Sequence, residues 1–231
     1  MNKLTEQNKI AALISDADKS RKKIASVSDI LFDISQNDPT VTICGTLTVA
    51  ARSLGTEDIP DVSGIKKYIY LARVLERIDA TEKKLNEVQT ELKGALTELY
   101  KTDALLRTLT EHLSKENDKL SSLEIILNQL ISSDETLSEN EKEILEHHVN
   151  DMNMSKIVAL KNQQLIDTWT AKNNGLISGI TSIETTLLPL WRSQLSEAKN
   201  TCTADNIRRS FETGRLTTEK ILSFVGKASG R

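Results

Sequence analysis

The side chains able to do chemistry are few and poorly spaced for it. The three histidines are His112, His147 and His148. The last two are adjacent, so on a helix they point about 100° apart and cannot easily share one metal ion. Neither completes the E-x-x-H or H-E-x-x-H spacing that lines ligands along one helical face. Cys44 and Cys202 stand far apart, form no C-x-x-C pair, and read as two ordinary thiols of a reducing compartment. A phosphate-cradling GxxxxGK[ST] or GxGxxG loop and a G-x-S-x-G nucleophile elbow are absent from the sequence. Carboxylates abound, but Glu82, Glu87, Glu91, Glu98 and Glu111 alternate with Lys83, Lys84, Lys93, Lys101 and Arg107. That balance describes a solvated helical face, not an acid–base pair. These residues predict no enzyme, no metal and no cofactor.

Stepping by seven from Leu71 through Ile78, Leu85, Leu92, Leu99, Leu106, Leu113 and Leu120 to Leu127 lands on a large aliphatic side chain every time. Three residues on, the companion series reads Val74, Thr81, Val88, Ala95, Thr102, Leu109, Glu116, Leu123 and Leu130. A seam this narrow belongs to a long helix that must be covered by another helix. With 231 residues, 27% charged and 3% aromatic, the chain has few large side chains for a thick core, and a slender bundle is expected.

The fold expected is all-α: an elongated antiparallel bundle, or coiled-coil hairpin, forming a single domain over 1–231. A first helix over 4–35 follows from Ile10, Leu13, Ala17, Ile24, Val27, Leu31 and Ile34, with Ser20 and Arg21 interrupting its face. Asp38 caps and Pro39 opens a second helix over 39–54, closed by Gly55. Its run Val41-Thr42-Ile43 is also compatible with a strand. Asp61 or Ser63 caps the long helix over 62–132, whose weak point is 114–118. Ser138 and Glu141 form the capping box of the fourth, over 138–200. There Asn173 falls on the seam, Asn173-Asn174-Gly175 is a candidate break, and Pro189 is expected to kink the helix near Thr185. Thr203 caps the last helix, over 204–225. A short turn between the two long helices makes them antiparallel. The N- and C-terminal helices are expected at the end remote from that turn, leaving a two-helix stalk toward Ser133.

The net charge of −3 gives no basic excess for nucleic-acid binding. The stretch from Met1 to Arg21 is charged throughout and contains no signal-peptide h-region. The longest weakly charged runs, Val41 to Ala51 and Gly175 to Ile183, fall short of the ~20 residues that span a bilayer. A cytoplasmic protein with no stable membrane span is expected.

A sharper signal lies between Glu141 and Asn200. The string Asp151-Met152-Asn153-Met154-Ser155-Lys156-Ile157-Val158-Ala159-Leu160, then Asn162-Gln163-Gln164-Leu165-Ile166, leads into Leu187-Leu188-Pro189-Leu190-Trp191-Arg192-Ser193-Gln194. This segment resembles the toxic-anion (tellurite) resistance family, the TelA-like proteins, in which a methionine–isoleucine patch precedes an Ile-Pro-Leu-Trp-Lys-Asn-Gln motif. The resemblance implies an all-helical bacterial cytoplasmic protein associated with tellurite or envelope stress, with no settled reaction. The resulting expectation is a non-enzymatic scaffold acting through a protein partner in stress response, its oligomeric state open. The partner site is expected at the Pro189 kink, with Trp191, Arg192 and Gln194 in contact and Leu187 and Leu190 holding the core. The alternative is a component of an α-helical pore-forming toxin that contacts membranes through a concealed segment, Val41 to Ala51 or Gly175 to Leu190.

Overall fold

The computed structural model describes residues 3–54, 67–133 and 137–228. In order, the elements are α1 (Lys3–Gln36), α2 (Pro39–Ser53), α3 (Lys67–Ser133), α4 (Glu139–Ser182), a π turn (Ile183–Leu187), α5 (Leu188–Thr201) and α6 (Ala204–Ala228). There is no strand among the described residues, so the chain is all-α and the β-branched run Val41-Thr42-Ile43 is helical.

Local chemistry accounts for the ends. Asp38 caps α2 by accepting the Thr40 N–H at 2.8 Å, with Pro39 behind it where a missing N–H costs nothing. Burial alone would raise the Asp38 carboxyl, but the Thr40 hydrogen bonds and Lys172, at 2.9 Å, hold it below its ordinary value. Before α4 the Ser138 N–H reaches Glu141 Oε2 at 2.9 Å and the Glu141 N–H returns to Ser138 Oγ at 3.3 Å, a complete capping box. Thr203 Oγ1 accepts the Asn206 N–H at the start of α6. The proposed caps Gly55, Asp61 and Ser63, and the packing of Leu71, lie outside the described residues. Two expected weak points are intact helix: α3 is continuous through 114–118 and α4 through Asn173-Asn174-Gly175. Both are spanned because buried seam residues flank them on either side: Leu113 and Leu120 in one case, Ile166 and Leu176 in the other.

The chain packs as two compact units, Met1–Asn37 with Asp103–Thr170 and Asp38–Thr102 with Ala171–Arg231. The first is a three-helix bundle. Lys156 on α4 donates to Glu124 on α3 at 2.6 Å and Gln163 donates to Thr110 at 3.4 Å, so numbers rise along one helix as they fall along the other. α1 runs parallel to α4, with Arg21 3.0 Å from Asp151 and Asn162 donating to Ser28 at 2.8 Å. Its core joins Ala17, Ile24, Val27 and Leu31 to Leu106, Leu113, Leu120, Leu127, Met152 and Ile166. This corrects the expectation of a two-helix stalk with both terminal helices at the far end. The seam over 106–127 is too apolar to leave half wet, since each fully buried Leu contributes about 1.5–3 kcal/mol. α1 is the helix that closes it.

In the second unit, α5 and α6 pack on one another, and α6 also packs on α2. The antiparallel pairing with α3 is marked by Asn173 Nδ2 on the Leu99 carbonyl at 2.8 Å and Lys199 on Asp79 at 2.5 Å. Leu47, Ile78, Leu85, Leu92, Leu99, Ile180, Leu188, Trp191 and Leu195 form its core.

Candidate interaction surface

The segment expected to carry the site is built around Pro189, which lacks an N–H and crowds the carbonyl four residues back. The helix does not simply kink at Thr185. It widens into the π turn Ile183–Leu187, and the Leu188 N–H bonds to the Ile183 carbonyl five residues back. A π turn takes in one residue more than α-helical spacing allows. The seam that runs by sevens to Ile180 and Ile183 therefore resumes eight residues on, at Leu188 and Trp191, and continues through Leu195 and Ala198.

That one-residue shift exchanges the expected places of Leu190 and Trp191, while Leu187 stays half-buried against the core as expected. Trp191 is 1% exposed and Leu188 fully buried, whereas Leu190, expected in the core, is 47% exposed. Trp191 lies so close to Gly214 on α6 that a Cβ there would stand 2.4 Å from Cζ2. Its Nε1 and Gln194 Oε1 are buried without a hydrogen-bond partner. The Arg192 guanidinium donates to Asn86 Oδ1 and Gln89 Oε1 on α3, each at 2.7 Å. Trp191 thus fills the second unit's core and Arg192 binds inside its own unit. The jump of eight was legible in the sequence: Leu188, Trp191, Leu195 and Ala198 keep helical spacing among themselves, and Pro189 marks the slip.

The groups with chemical potential are dispersed. Among the described residues no three of His, Cys, Asp and Glu are placed to hold a metal ion. His147 is exposed and His148 half-buried. Both thiols are free, and burial pushes the Cys44 thiol above its ordinary pKa. No described helix is long and apolar enough to cross a membrane.

The surface that stands out was not singled out from sequence as a site. On α4, within the first unit, Met154, Ile157, Val158, Leu160 and Leu165 are all exposed large apolar side chains. At 3.6 residues per turn Met154, Ile157, Val158 and Leu165 share the side of α4 opposite the buried Met152, Ala159 and Ile166. Leu160 borders a groove of about 290 Å³ between α3 and α4, lined also by Thr110, Leu113, Ser114, Asn117, Ala159 and Gln163. Lys161 is the charged group within this face, and it has no ion partner among the described residues. A signal was available: α4 carries apolar residues on both sides over 152–166, and a single seam uses only one of them.

No family model matches the chain, and no curated protein or solved structure matches it.

Proposed function

We propose that this is a non-enzymatic helical scaffold of the bacterial cytoplasm that acts in stress response by binding a partner protein. The observation that carries this reading is the outward apolar face of α4, Met154, Ile157, Val158, Leu160 and Leu165. Clusters of large apolar side chains exposed together mark interaction sites more often than scattered ones do. This face falls within the stretch that resembles the methionine–isoleucine patch of the toxic-anion resistance proteins, which supports a stress role. This reading takes α4 as the contact surface in preference to the Pro189 segment, where Trp191 is buried and Arg192 is bonded to Asn86 and Gln89.

Met154→Glu with Val158→Glu tests it, because both side chains are exposed and the substitutions leave the core untouched. A bacterial host expressing the chain is challenged with tellurite, and the purified variant is melted in parallel. The expected result is loss of the survival the chain confers, at an unchanged melting temperature. Unaltered survival with the doubly charged face refutes this surface as the working one.

A further inference from the structure

Two interruptions in apolar repeats, on two different helices, meet each other. α1 repeats by sevens in two series: Ile10, Ala17, Ile24, Leu31, and Leu13, Ser20, Val27, Ile34. Only Ser20 breaks them. On α3 the series Leu109, Glu116, Leu123, Leu130 is broken only by Glu116. In the first unit Ser20 is fully buried and Glu116 2% exposed. Lys23, one turn from Ser20, donates to Glu116 Oε1 at 2.7 Å, and His112 Nε2 stands 3.8 Å from the same oxygen. The Ser20 hydroxyl lies beside this carboxylate. Neither Ser20 Oγ nor Glu116 Oε2 has a partner within bonding geometry.

Because both helices repeat by sevens, sliding α1 along α3 by one repeat, about 10 Å, again lays apolar residues on apolar residues. The aliphatic contacts alone do not choose between these alignments. Against α3 the polar layer does, beside the Arg21–Asp151 and Asn162–Ser28 contacts that α1 makes with α4. A slide in one direction brings Leu13 and Asp16 to Glu116, setting carboxylate against carboxylate. A slide in the other brings Val27 and Ile30, leaving the buried charge with no donor from α1, which is strongly unfavourable. Only the observed alignment offers a small residue to make room and a lysine to answer the charge. We infer that Ser20, Lys23 and Glu116 form a register key that admits α1 to α3 in one alignment. A buried polar residue at a single repeat position is the best-attested way for packed helices to fix register, at some loss of stability. The inference is independent of the proposed partner surface.

Disulfide trapping in the full-length chain reads the register directly. With Cys44→Ala and Cys202→Ser in the background, Leu13→Cys with Leu123→Cys closes in the observed alignment, and Leu13→Cys with Leu130→Cys closes only after a slide of one repeat. With the key intact the first pair alone is expected to close. In Ser20→Ala with Glu116→Leu, still helical by circular dichroism, both pairs are expected to close. Moving the key by one repeat, with Ser20→Val, Lys23→Ile, Val27→Ser and Ile30→Lys, is expected to make the second pair the predominant product. That last variant decides the matter even where the apolar variant does not fold. If it closes the first pair alone, or neither pair, the key is not what sets the alignment.

Discussion

Both units bury a polar residue at the long helix α3, one of them on α3 and the other facing it, and they satisfy it differently. In the second unit Asn173 on α4 donates its amide to the Leu99 carbonyl at 2.8 Å. The acceptor is backbone and the group is neutral, so the pair of helices is self-sufficient. In the first unit Glu116 is ionic, and its counterion comes from a third helix, at Lys23. A neutral amide can be spared at little cost where its acceptor keeps its own helical hydrogen bond, whereas a buried carboxylate deprived of its cation keeps its full desolvation penalty. The first unit therefore depends on charge to hold α1, and the second depends on shape, centred on Trp191 and Gly214.

That contrast can be broken by substitution. Trp191→Ala should be the most damaging change, at about 3–5 kcal/mol in chemical denaturation, because it empties the centre of the second unit's core. A loss under about 1 kcal/mol would put the shape-dependent core elsewhere. Lys23→Ala comes next, at about 1–3 kcal/mol, since it orphans Glu116 while Lys23 itself is half exposed. Asn173→Leu should be close to neutral by the same denaturation, and if it proved costlier than Lys23→Ala the two units would have exchanged roles. Gly214→Ala belongs at about 1–3 kcal/mol, because its new methyl group meets the Trp191 ring and must displace it.

Acid should separate the units further. Burial raises the pKa of Glu116, but the hydrogen bond from Lys23, the Ser20 hydroxyl beside it and the charges of Lys23 and Lys119 outweigh that and leave the carboxyl below its ordinary 4.5. A carboxyl depressed in the folded state stabilises above its unfolded value and loses that contribution as pH falls through the folded one. The deficit of Lys23→Ala relative to the parent should therefore shrink as pH drops below about 4.5, whereas that of Trp191→Ala should stay level. Parallel denaturation series down to pH 3 would show it, and equal pH dependence of the two deficits would remove the electrostatic distinction. The smallest effect is a gain: Gly94→Ala adds a methyl group in open space on α3 and should stabilise by about 1 kcal/mol, read as a rise in melting temperature.

Much of this architecture was legible in residue spacing, because a repeat of seven specifies helices and their buried faces together. The Asp38–Pro39 start of α2 and the Ser138–Glu141 box were readable for the same reason: capping is local. The position of α1 was not. Its repeat shows that it packs on something but not on which half of α3, and the answer lay in a pairwise complement, Ser20 and Lys23 to Glu116, each half of which reads alone as a defect. Trp191 was misplaced because the heptad count was carried unbroken across Pro189. The α4 surface did not show in the seam count, because that count follows one side of a helix and is silent on apolar residues carried by the other.

The π turn has one more consequence, for how the chain can be compared and altered. Residues before Ile183 and after Leu187 are written in two frames offset by one, as if a letter had been inserted into a periodic text. An alignment of α4 through α5 that keeps a constant count would match interior residues to exterior ones from Leu188 onward. A related chain lacking one residue here would have an unbroken rod in which its equivalents of Leu188 and Trp191 fall seven residues after those of Ile180 and Ile183, with its equivalent of Leu190 still facing outward. A one-residue deletion at this point is therefore absorbed by the turn, which would close to ordinary α-helix, whereas the same deletion elsewhere in α4 or α5 would turn the face that follows by about 100°.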